Sequence, residues 1–517
     1  RLISGCPYRV DQVAYPMFKR DVEDEKTMTR DQAQELCELM RIKYNELGAY
    51  RASVARRVNQ GAGMTLIWTL GGVKEDGSDA CNELTNVLID ACRSIRTNQP
   101  SLALRYHPNM SEKTMHHAFE CIRAGLSMPS FHSDEYAIKQ LMANGASLEE
   151  ARNWGLVLCQ SPGCQGSKGT RVRNAYDIMP AKCLELALSD GYDYFFSKKQ
   201  AGVHTGDATK FESFDDVWNA FTKQMEYAIS IGSRQKIMTR VVEAEWFKQP
   251  FLSSMWEQCV ERGVDGIEWE EISNPWFNLI GLVDAADSMS SLDKLVFIDK
   301  KYTMEQVITA IRANWEGYED MRQDFENVPK YGNDDDFADS FMGKILDWTT
   351  AYGKTISNYS GGHPRPLPQA VSGFWAYGIK TGALPNGRHE GDVIADGGCS
   401  PYHAYDKNGP TAVVASAAKF NHEQLKGCLM NQRLNQAQLM ADNGFDLFNA
   451  YVRGVFASGL SQVQFNVVDN KVLRSAQKEP DQYPDLVVRV AGYSAYFTEL
   501  NRKTQDGIIS RTEQKLA

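Results

Sequence analysis

A glycine near the end of the chain interrupts a run that otherwise has the pattern of a strand. Gly492 stands in the middle of the stretch RVAGYS, residues 489–494, directly after the apolar residues 486–490. Glycine inside a strand costs stability and usually marks a bulge or the close approach of another group, because it has no Cβ. The position therefore predicts that something approaches the backbone at Gly492.

The cysteines are the second residue type that could carry chemistry. All eleven are scattered singly, from Cys6 to Cys428, with no Cys-x-x-Cys pair and no Cys/His cluster at zinc spacing. The adjacent His116 and His117 form a poor ligand set, because neighbouring residues of a helix point apart. The pattern indicates reduced thiols, most of them small buried hydrophobes, and no metal or iron–sulfur site.

Glycine and proline are densest between residues 361 and 410, with a strong turn signal at Pro385-Asn386-Gly387. Glycine-rich stretches can cradle phosphate, but neither a Walker pattern nor a Gly-x-Gly-x-x-Gly after a strand is present. We therefore predict a long structured loop with several tight turns.

Composition limits the class of protein. The 517 residues are 43% hydrophobic, enough to bury a large core, and the formal net charge of −10 argues against a nucleic-acid partner. No run approaches the eighteen or so apolar residues of a membrane span, and the first residues lack the pattern of a signal peptide. These features predict a cytoplasmic protein with no membrane contact.

Helical and strand patterns alternate along the chain. Capping boxes at Thr29/Gln32 and Ser147/Glu150 predict helix starts, and Ser213 precedes a helix with an apolar face. Residues 101–106, 294–298 and 486–490 have the pattern of buried strands. This alternation predicts an α/β sheet or barrel with parallel strands, and a boundary near Ala395.

Several blocks resemble the glycyl radical enzymes. The stretch DLVVRVAGYSAYF, residues 485–497, closely resembles the glycyl radical signature near the C-terminus of that family. TLGGVKEDGSDACNELT (69–85), TGALPNGRHEGDVIADGGCSPYHAYDKNGPTA (381–412) and QFNVVD (464–469) are also similar to family blocks, in family order. The recognition therefore rests on more than one motif.

The resemblance implies a radical stored on Gly492. Such a radical delocalises into both flanking peptide groups, which requires a planarity that glycine reaches without steric cost. A radical S-adenosylmethionine activase would form it, and neither a metal nor a bound organic cofactor is implied. Family members are destroyed by oxygen, which implies an anaerobic source.

The resemblance also implies a thiyl radical that passes hydrogen between Gly492 and the substrate. The matching place is Cys159, which follows apolar residues 156–158 and precedes a turn expected at Ser161-Pro162-Gly163. Cys164 is the weaker alternative because it lies beyond that turn.

The cysteine loop resembles one branch of the family. Members that eliminate water or an amine have Gly-Cys-x-Glu, whereas this chain has Gln160 and Ser161, and Gln160 also excludes the paired cysteines of pyruvate-cleaving members. LCQSPG (158–163), IMPAK (178–182) and ADSMSSLDKLVFIDKKYTM (286–304) are similar to the benzylsuccinate and alkylsuccinate synthases, which add a hydrocarbon to fumarate. Arg171 or Arg173 would hold the fumarate carboxylates, because the arginine fork suits them.

A hydrocarbon offers no hydrogen bonds, so its affinity must come from apolar burial. SGFWAYG (372–378) and NPWFNLIGLV (274–283) are the expected pocket walls, with Phe374, Trp375, Trp276 and Ile280 as the bulkiest residues.

The resemblance implies a ten-stranded α/β barrel of which this chain forms the C-terminal portion. We expect a pyruvate-formate-lyase-like barrel portion over residues 1–395, with its cysteine loop near residues 156–174, and a glycyl radical domain over 396–517. Family members carry several hundred residues before the block CPYRVDQVAYPMF (6–18), so the missing N-terminal portion belongs to the same or a separate chain. A homodimer with possible small auxiliary subunits is expected.

Two other functions remain open. An arylacetate decarboxylase could use the same glycine and cysteine, with Arg171 or Arg173 on the substrate carboxylate. The chain could also be a non-catalytic complementing fragment whose role is assembly.

Overall fold

The computed structural model describes residues 9–46, 61, 66–157, 159–165, 175–268, 275–357, 362–370 and 372–516. The chain forms two compact units. Unit 1 consists of Arg1–Arg173, Glu243–Asn274 and His422–Ala517, and unit 2 consists of Asn174–Val242 and Pro275–Asn421. Both units are discontinuous in the sequence. The domain boundary expected at residues 395–396 therefore stays a prediction.

The described residues contain fourteen strands. They are β1 Ile67–Gly71, β2 Ser101–Tyr106, β3 Ser130–Ser133, β4 Trp154–Val157, β5 Ser161–Cys164, β6 Ala175–Ile178, β7 Tyr192–Asp193, β8 Lys199–Gln200, β9 Trp276–Leu279, β10 Arg365–Pro368, β11 Asn431–Arg433, β12 Gln462–Asn466, β13 Val487–Arg489 and β14 Ser494–Tyr496.

The α-helices of the same residues are Val10–Val13, Tyr15–Phe18, Arg30–Glu46, Glu83–Ile95, Glu112–Arg123, Asp134–Met142, Leu148–Arg152, Pro180–Ala187, Phe214–Trp246, Pro250–Ser253, Glu257–Arg262, Leu282–Leu292, Met304–Arg312, Glu319–Asn327, Asp336–Gly353, Gly373–Gly378, Pro410–Ala418, Gln436–Leu439, Gly444–Ala457, Asn470–Lys478 and Arg502–Ser510. Within the described part of the chain, none of them is both long enough and apolar enough to cross a bilayer.

A five-stranded sheet forms the centre of unit 1, with strand order β1-β2-β3-β12-β11. β1, β2 and β3 are parallel, whereas β12 runs antiparallel to β3 and parallel to β11. Every residue of β2, β3 and β12 is buried, as expected of strands covered on both faces. The helices Glu83–Ile95 and Glu112–Arg123 connect consecutive parallel strands, so the predicted α/β class is confirmed.

Unit 2 has a parallel three-stranded sheet with the order β10-β9-β6. The helix Leu282–Leu292 follows β9, and all of its residues are buried. The next residues were predicted as a strand over 294–298, and that prediction is wrong, because Asp293–Ile298 is a π-helical turn that continues this helix. A short apolar run does not distinguish a strand from a buried helical segment.

The predicted helix starts are confirmed. The Gln32 amide N–H donates to Thr29 Oγ1 at 3.2 Å, and the Thr29 N–H donates to Gln32 Oε1 at 2.9 Å. Ser147 and Glu150 form the same reciprocal pair. These bonds satisfy N–H groups that the first helical turn leaves without partners.

The glycine-rich stretch is an extended loop, as predicted. Residues 379–409 are all described and none lies in a helix or strand. Buried Arg388 donates to the carbonyl oxygens of Gly382 at 2.6 Å and Gly378 at 3.2 Å. Asp284 accepts the Ala395 N–H at 2.8 Å, and burial raises the pKa of this carboxyl to about 6. These contacts tie the start and the middle of the loop to buried polar groups.

Candidate active site

Cys159 lies in the turn of a short hairpin in unit 1. β4 and β5 pair antiparallel, with Val157 opposite Ser161, and Cys159 and Gln160 occupy the turn between them. The expected turn at residues 161–163 is therefore wrong, because these residues form strand β5. The half-buried cysteine consequently stands at the tip of the hairpin.

Buried hydrogen bonds hold this cysteine hairpin. The Leu156 N–H donates to Thr69 Oγ1 of β1 at 3.0 Å, and Lys426 Nζ donates to the Pro162 carbonyl at 3.0 Å. Trp154, the first residue of β4, donates from Nε1 to Asp134 Oδ1 at 2.7 Å, and Arg105 Nε donates to the same oxygen at 2.6 Å. The hairpin is thus held by Thr69 of β1, by Asp134 of the helix Asp134–Met142 and by Lys426.

Gly492 lies in the turn of a second hairpin of unit 1. β13 and β14 pair antiparallel with Arg489 opposite Ser494, and the Val490 N–H donates to the Tyr493 carbonyl at 3.0 Å. Gly492 has a φ of +82°, a conformation that residues with a side chain rarely adopt. The glycine is therefore a turn residue between two strands and does not interrupt one strand.

The two turns meet. A Cβ placed on Gly492 would lie 2.3 Å from Cys159 Cβ and 2.8 Å from Cys159 Sγ, and 3.2 Å from Leu429 Cδ1. Since the Cα–Cβ direction is that of one α-hydrogen and the bond is about 1.5 Å long, the α-carbon lies within about 4.3 Å of Sγ. One α-hydrogen of Gly492 thus points at the thiol, and the predicted close approach is present.

Polar side chains of the sheet, together with Arg511, hold the glycine hairpin. Asn466 of β12 accepts the Arg489 N–H at 2.8 Å and donates to the Arg489 carbonyl at 2.8 Å. Arg489 Nε donates to Gln464 Oε1 at 2.8 Å, and its Nη1 donates to Ser494 Oγ at 3.3 Å. Arg511 donates to the carbonyl oxygens of Arg489, at 2.7 Å, and of Val490.

The electrostatic environment of the two turns is that of a buried site. Burial lowers the pKa of Arg489 to about 10, and its interaction with Cys159 opposes this shift. His132 of β3 is also buried, and burial followed by the charge of Arg489 lowers the pKa of its imidazole to about 3. His132 is therefore neutral near pH 7, and its Nε2 contacts Ser130 Oγ at 3.0 Å.

The remaining predicted site residues are distributed as follows. Cys164 lies at the open end of its hairpin opposite Trp154, within an apolar cluster, which is a core position. Trp276, Ile280 and Phe374 are buried in unit 2, whereas Trp375 is partly exposed. Arg171 and Arg173 lie outside the described residues. Their roles remain predictions.

Sequence reasoning missed Asn466, Gln464, Arg489 and Arg511 as residues that surround the glycine. The signal for three of them was available, because Gln464 and Asn466 belong to the block QFNVVD and Arg489 to the block around Gly492. Nothing in the sequence near Arg511 connects it to Gly492. Among the described residues, no group of three or more His, Cys, Asp or Glu side chains could hold a metal ion.

Two sequence models of protein families match the chain. The model described as "Pyruvate formate lyase-like" matches residues 3–378, and the model described as "Glycine radical" matches residues 395–498. The second match includes Gly492 and indicates that the cofactor is a glycyl radical.

Curated relatives are similar over nearly the whole chain. Trans-4-hydroxy-L-proline dehydratase of Clostridioides difficile is 36% identical over 98% of this chain and 64% of its own length. Indoleacetate decarboxylase of Tractidigestivibacter scatoligenes is 29% identical over 99% of this chain and 61% of its own length. The chain therefore spans less than two thirds of the length of these relatives. Neither name describes a fumarate-adding enzyme.

A solved structure confirms the predicted fold. The B12-independent glycerol dehydratase of Clostridium butyricum, in its glycerol-bound form, superposes with a TM-score of 0.94 at 32% identity, covering 99% of this chain and 64% of that one. The chain has the α/β fold of that enzyme.

Proposed function

The chain belongs to the glycyl radical enzymes, and from this membership we propose that Gly492 and Cys159 form its hydrogen-atom relay. The contact of the two hairpin turns carries the proposal, because a Cβ built on Gly492 would lie 2.8 Å from Cys159 Sγ. A separate radical S-adenosylmethionine activase removes one α-hydrogen from Gly492. The glycyl radical then takes the hydrogen atom of the Cys159 thiol and leaves a thiyl radical.

Cys159 carries the radical to the substrate. Its thiyl radical removes a hydrogen atom from a substrate C–H bond and becomes a thiol again. After the substrate radical has reacted, the product radical takes that hydrogen atom back. Each transfer moves one hydrogen atom with its electron, so the cycle consumes no oxidant or reductant. The protein contributes position and the exclusion of water.

For the overall reaction we propose addition of a hydrocarbon C–H bond across fumarate, giving a substituted succinate. The proposal rests on the residues beside the cysteine. Elimination of water needs a carboxylate to act as general base, and the position two residues after Cys159 holds Ser161, a buried residue of β5. The loop LCQSPG resembles that of the succinate synthases. The two relatives named above lend no support to this subtype.

Decarboxylation of an arylacetate is the second candidate. The similarity to an indoleacetate decarboxylase favours it. Arg171 or Arg173 would hold the substrate carboxylate. Dehydration, which the name of the other relative describes, is disfavoured by Gln160 and Ser161.

Product analysis with the full native polypeptide and its activase distinguishes these reactions. We expect deuterated toluene and fumarate together to give labelled benzylsuccinate, and no product when fumarate is omitted. Release of carbon dioxide from indoleacetate without fumarate would favour the decarboxylase. Loss of water from trans-4-hydroxyproline would favour an eliminating enzyme.

Fumarate titration of arginine variants tests the proposed clamp. Arg171→Ala or Arg173→Ala should weaken fumarate binding by orders of magnitude, because a desolvated carboxylate loses a bidentate partner. Hydrocarbon affinity should change little. Lysine at the same position should rescue only in part, since a point charge cannot reproduce the fork. Unchanged fumarate affinity in both variants would contradict the clamp.

A further inference from the structure

The guanidinium of Arg511 contacts the backbone of the glycine hairpin. It donates to the carbonyl oxygens of Arg489, at 2.7 Å, and of Val490, the last two residues before the turn that begins at Ala491. Only 8% of Arg511 is exposed. Burying a guanidinium has a large cost unless hydrogen bonds replace water, and these two carbonyl groups are such partners. The Arg511 side chain therefore binds the backbone of the glycine hairpin.

The backbone of Arg511 is itself tied to the central sheet. Arg433 of β11 donates from Nη1 to the carbonyl oxygens of Arg511 at 3.2 Å and Ile509 at 3.3 Å. Three residues later, the Gln514 N–H donates to the Arg433 carbonyl at 2.7 Å, and the Gln514 carbonyl accepts the Asn435 N–H at 2.9 Å. The segment after the helix Arg502–Ser510 thus connects the hairpin to β11.

The hairpin needs such a connection. Its strands have three residues each, and an isolated two-stranded hairpin of this size is at most marginally stable. Asn466 fixes Arg489 from the side of β12. Arg511 binds the carbonyl oxygen of Arg489 and also that of Val490, which is one residue closer to Gly492. Since a displacement of about 1 Å from a reactive geometry can cost about 100-fold in rate, the position of this turn matters.

We propose that Arg511 is a positioning residue of the radical relay: through the carbonyl groups of Arg489 and Val490 it holds Gly492 at hydrogen-transfer distance from Cys159. The proposal rests on the proposed function, because it needs hydrogen to pass between these two residues. The C-terminal segment, which lies 19 residues beyond Gly492 in the sequence, thereby becomes part of the relay.

Hydrogen exchange measured by mass spectrometry on the native polypeptide tests the contact without a radical or a substrate. In Arg511→Ala we expect the amide hydrogens of residues 487–496 to exchange about ten- to a hundredfold faster, because two hydrogen bonds from a charged group are lost. Arg511→Lys should fall between, since an ammonium reaches one carbonyl more readily than two. Arg502→Ala is the matched control: this arginine is exposed and pairs with Asp506 on the same C-terminal segment.

Activity per radical tests the consequence. With toluene and fumarate as substrates, and turnover divided by the spin count of the glycyl signal, Arg511→Ala should lose at least tenfold in kcat with KM for fumarate within twofold. Lysine should rescue in part. Unchanged exchange in the hairpin, faster exchange spread equally over unit 1, or a loosened hairpin with normal turnover per radical would each overturn the proposal. A wild-type enzyme without any glycyl signal would instead contradict the proposed function. The amide exchange rates of the hairpin would still show whether Arg511 holds it in place.

Discussion

Two requirements meet at Gly492, and each alone would select glycine. The positive φ of +82° disfavours any L side chain, and a Cβ would come within 2.3 Å of Cys159 Cβ. Gly459 satisfies only the first requirement: its φ is +86° and nothing lies within 4 Å of its Cβ position. Alanine substitution at Gly492 and at Gly459 therefore separates the effect of backbone strain from the effect of contact with Cys159.

Gly492→Ala should abolish the carbon-centred electron paramagnetic resonance doublet that activation produces. The added methyl group disfavours a planar radical centre and collides with Cys159. Gly459→Ala introduces comparable backbone strain and should keep the doublet. The spectra of both variants are recorded after activation. An unchanged doublet in Gly492→Ala would place the radical on another residue.

Cys159→Ser should keep the glycyl doublet and lose turnover, because an O–H bond is too strong to exchange hydrogen reversibly with the glycine. Product formation from toluene and fumarate is measured at equal spin concentration. Cys164→Ser is the control on the same hairpin. It should lose stability, since Cys164 is fully buried, while retaining activity. Turnover by Cys159→Ser comparable to the wild type would refute the thiyl assignment and favour Cys164 as the thiyl residue.

At the scale of elements, two short hairpins carry Cys159 and Gly492 in their turns. The sheet of unit 1 and the helix Asp134–Met142 supply anchors for them. The base of the cysteine hairpin depends on Asp134, whose carboxylate accepts from Arg105, Trp154 and the Val73 N–H, the last at 2.7 Å. Arg105 is fully buried and its guanidinium lies 4.7 Å from the Trp154 ring centroid. Removing the carboxylate charge would leave that guanidinium uncompensated.

Asp134→Asn should lower the free energy of unfolding by about 3–5 kcal/mol, the usual cost of removing one charged partner of a buried ion pair. Urea unfolding followed by tryptophan fluorescence measures the change. Lys139→Ala is the control, because Lys139 forms exposed pairs with Glu135 and Glu423. Its loss should stay within about 1 kcal/mol. Equal losses in the two variants would show that the buried pair does not anchor the hairpin.

At the scale of the whole molecule, buried titrating groups make stability depend on pH. The pKa of His132 is lowered to about 3 by burial and by the charge of Arg489, whereas an unfolded histidine titrates near 6.5. Between these values the unfolded chain binds a proton that the folded chain does not. The free energy of unfolding therefore falls as the pH decreases from about 6.5 toward 3.

His132→Gln should reduce this acid sensitivity. Relative to the variant, the wild type should lose up to about 1.4 kcal/mol per pH unit below 6.5, because it must charge a buried imidazole. Urea unfolding at pH 7 and pH 5 gives the two slopes. His116→Gln, at an exposed histidine, should keep the wild-type slope. Identical slopes for the wild type and His132→Gln would mean that His132 titrates normally in the folded protein.

The class of fold and the residue types of the site follow from the amino-acid sequence alone. The alternation of strands and helices predicted the α/β architecture. Two capping boxes and Ser213 predicted three helix starts, and Gly492 predicted a close approach. These features depend on neighbours within a few residues, and local periodicity and side-chain chemistry express them directly. The family blocks added the glycyl radical.

The residue that approaches Gly492, and the residues that hold it, are known only from the folded structure. The cysteine turn lies at residues 159–160, residues 293–298 continue a buried helix, and Arg511 reaches the carbonyl groups before Gly492. Each outcome depends on hydrogen bonds or packing between residues far apart in the chain, such as Leu156 with Thr69 and Arg433 with Arg511. Such contacts leave no periodic signal, because the folded backbone brings the partners together.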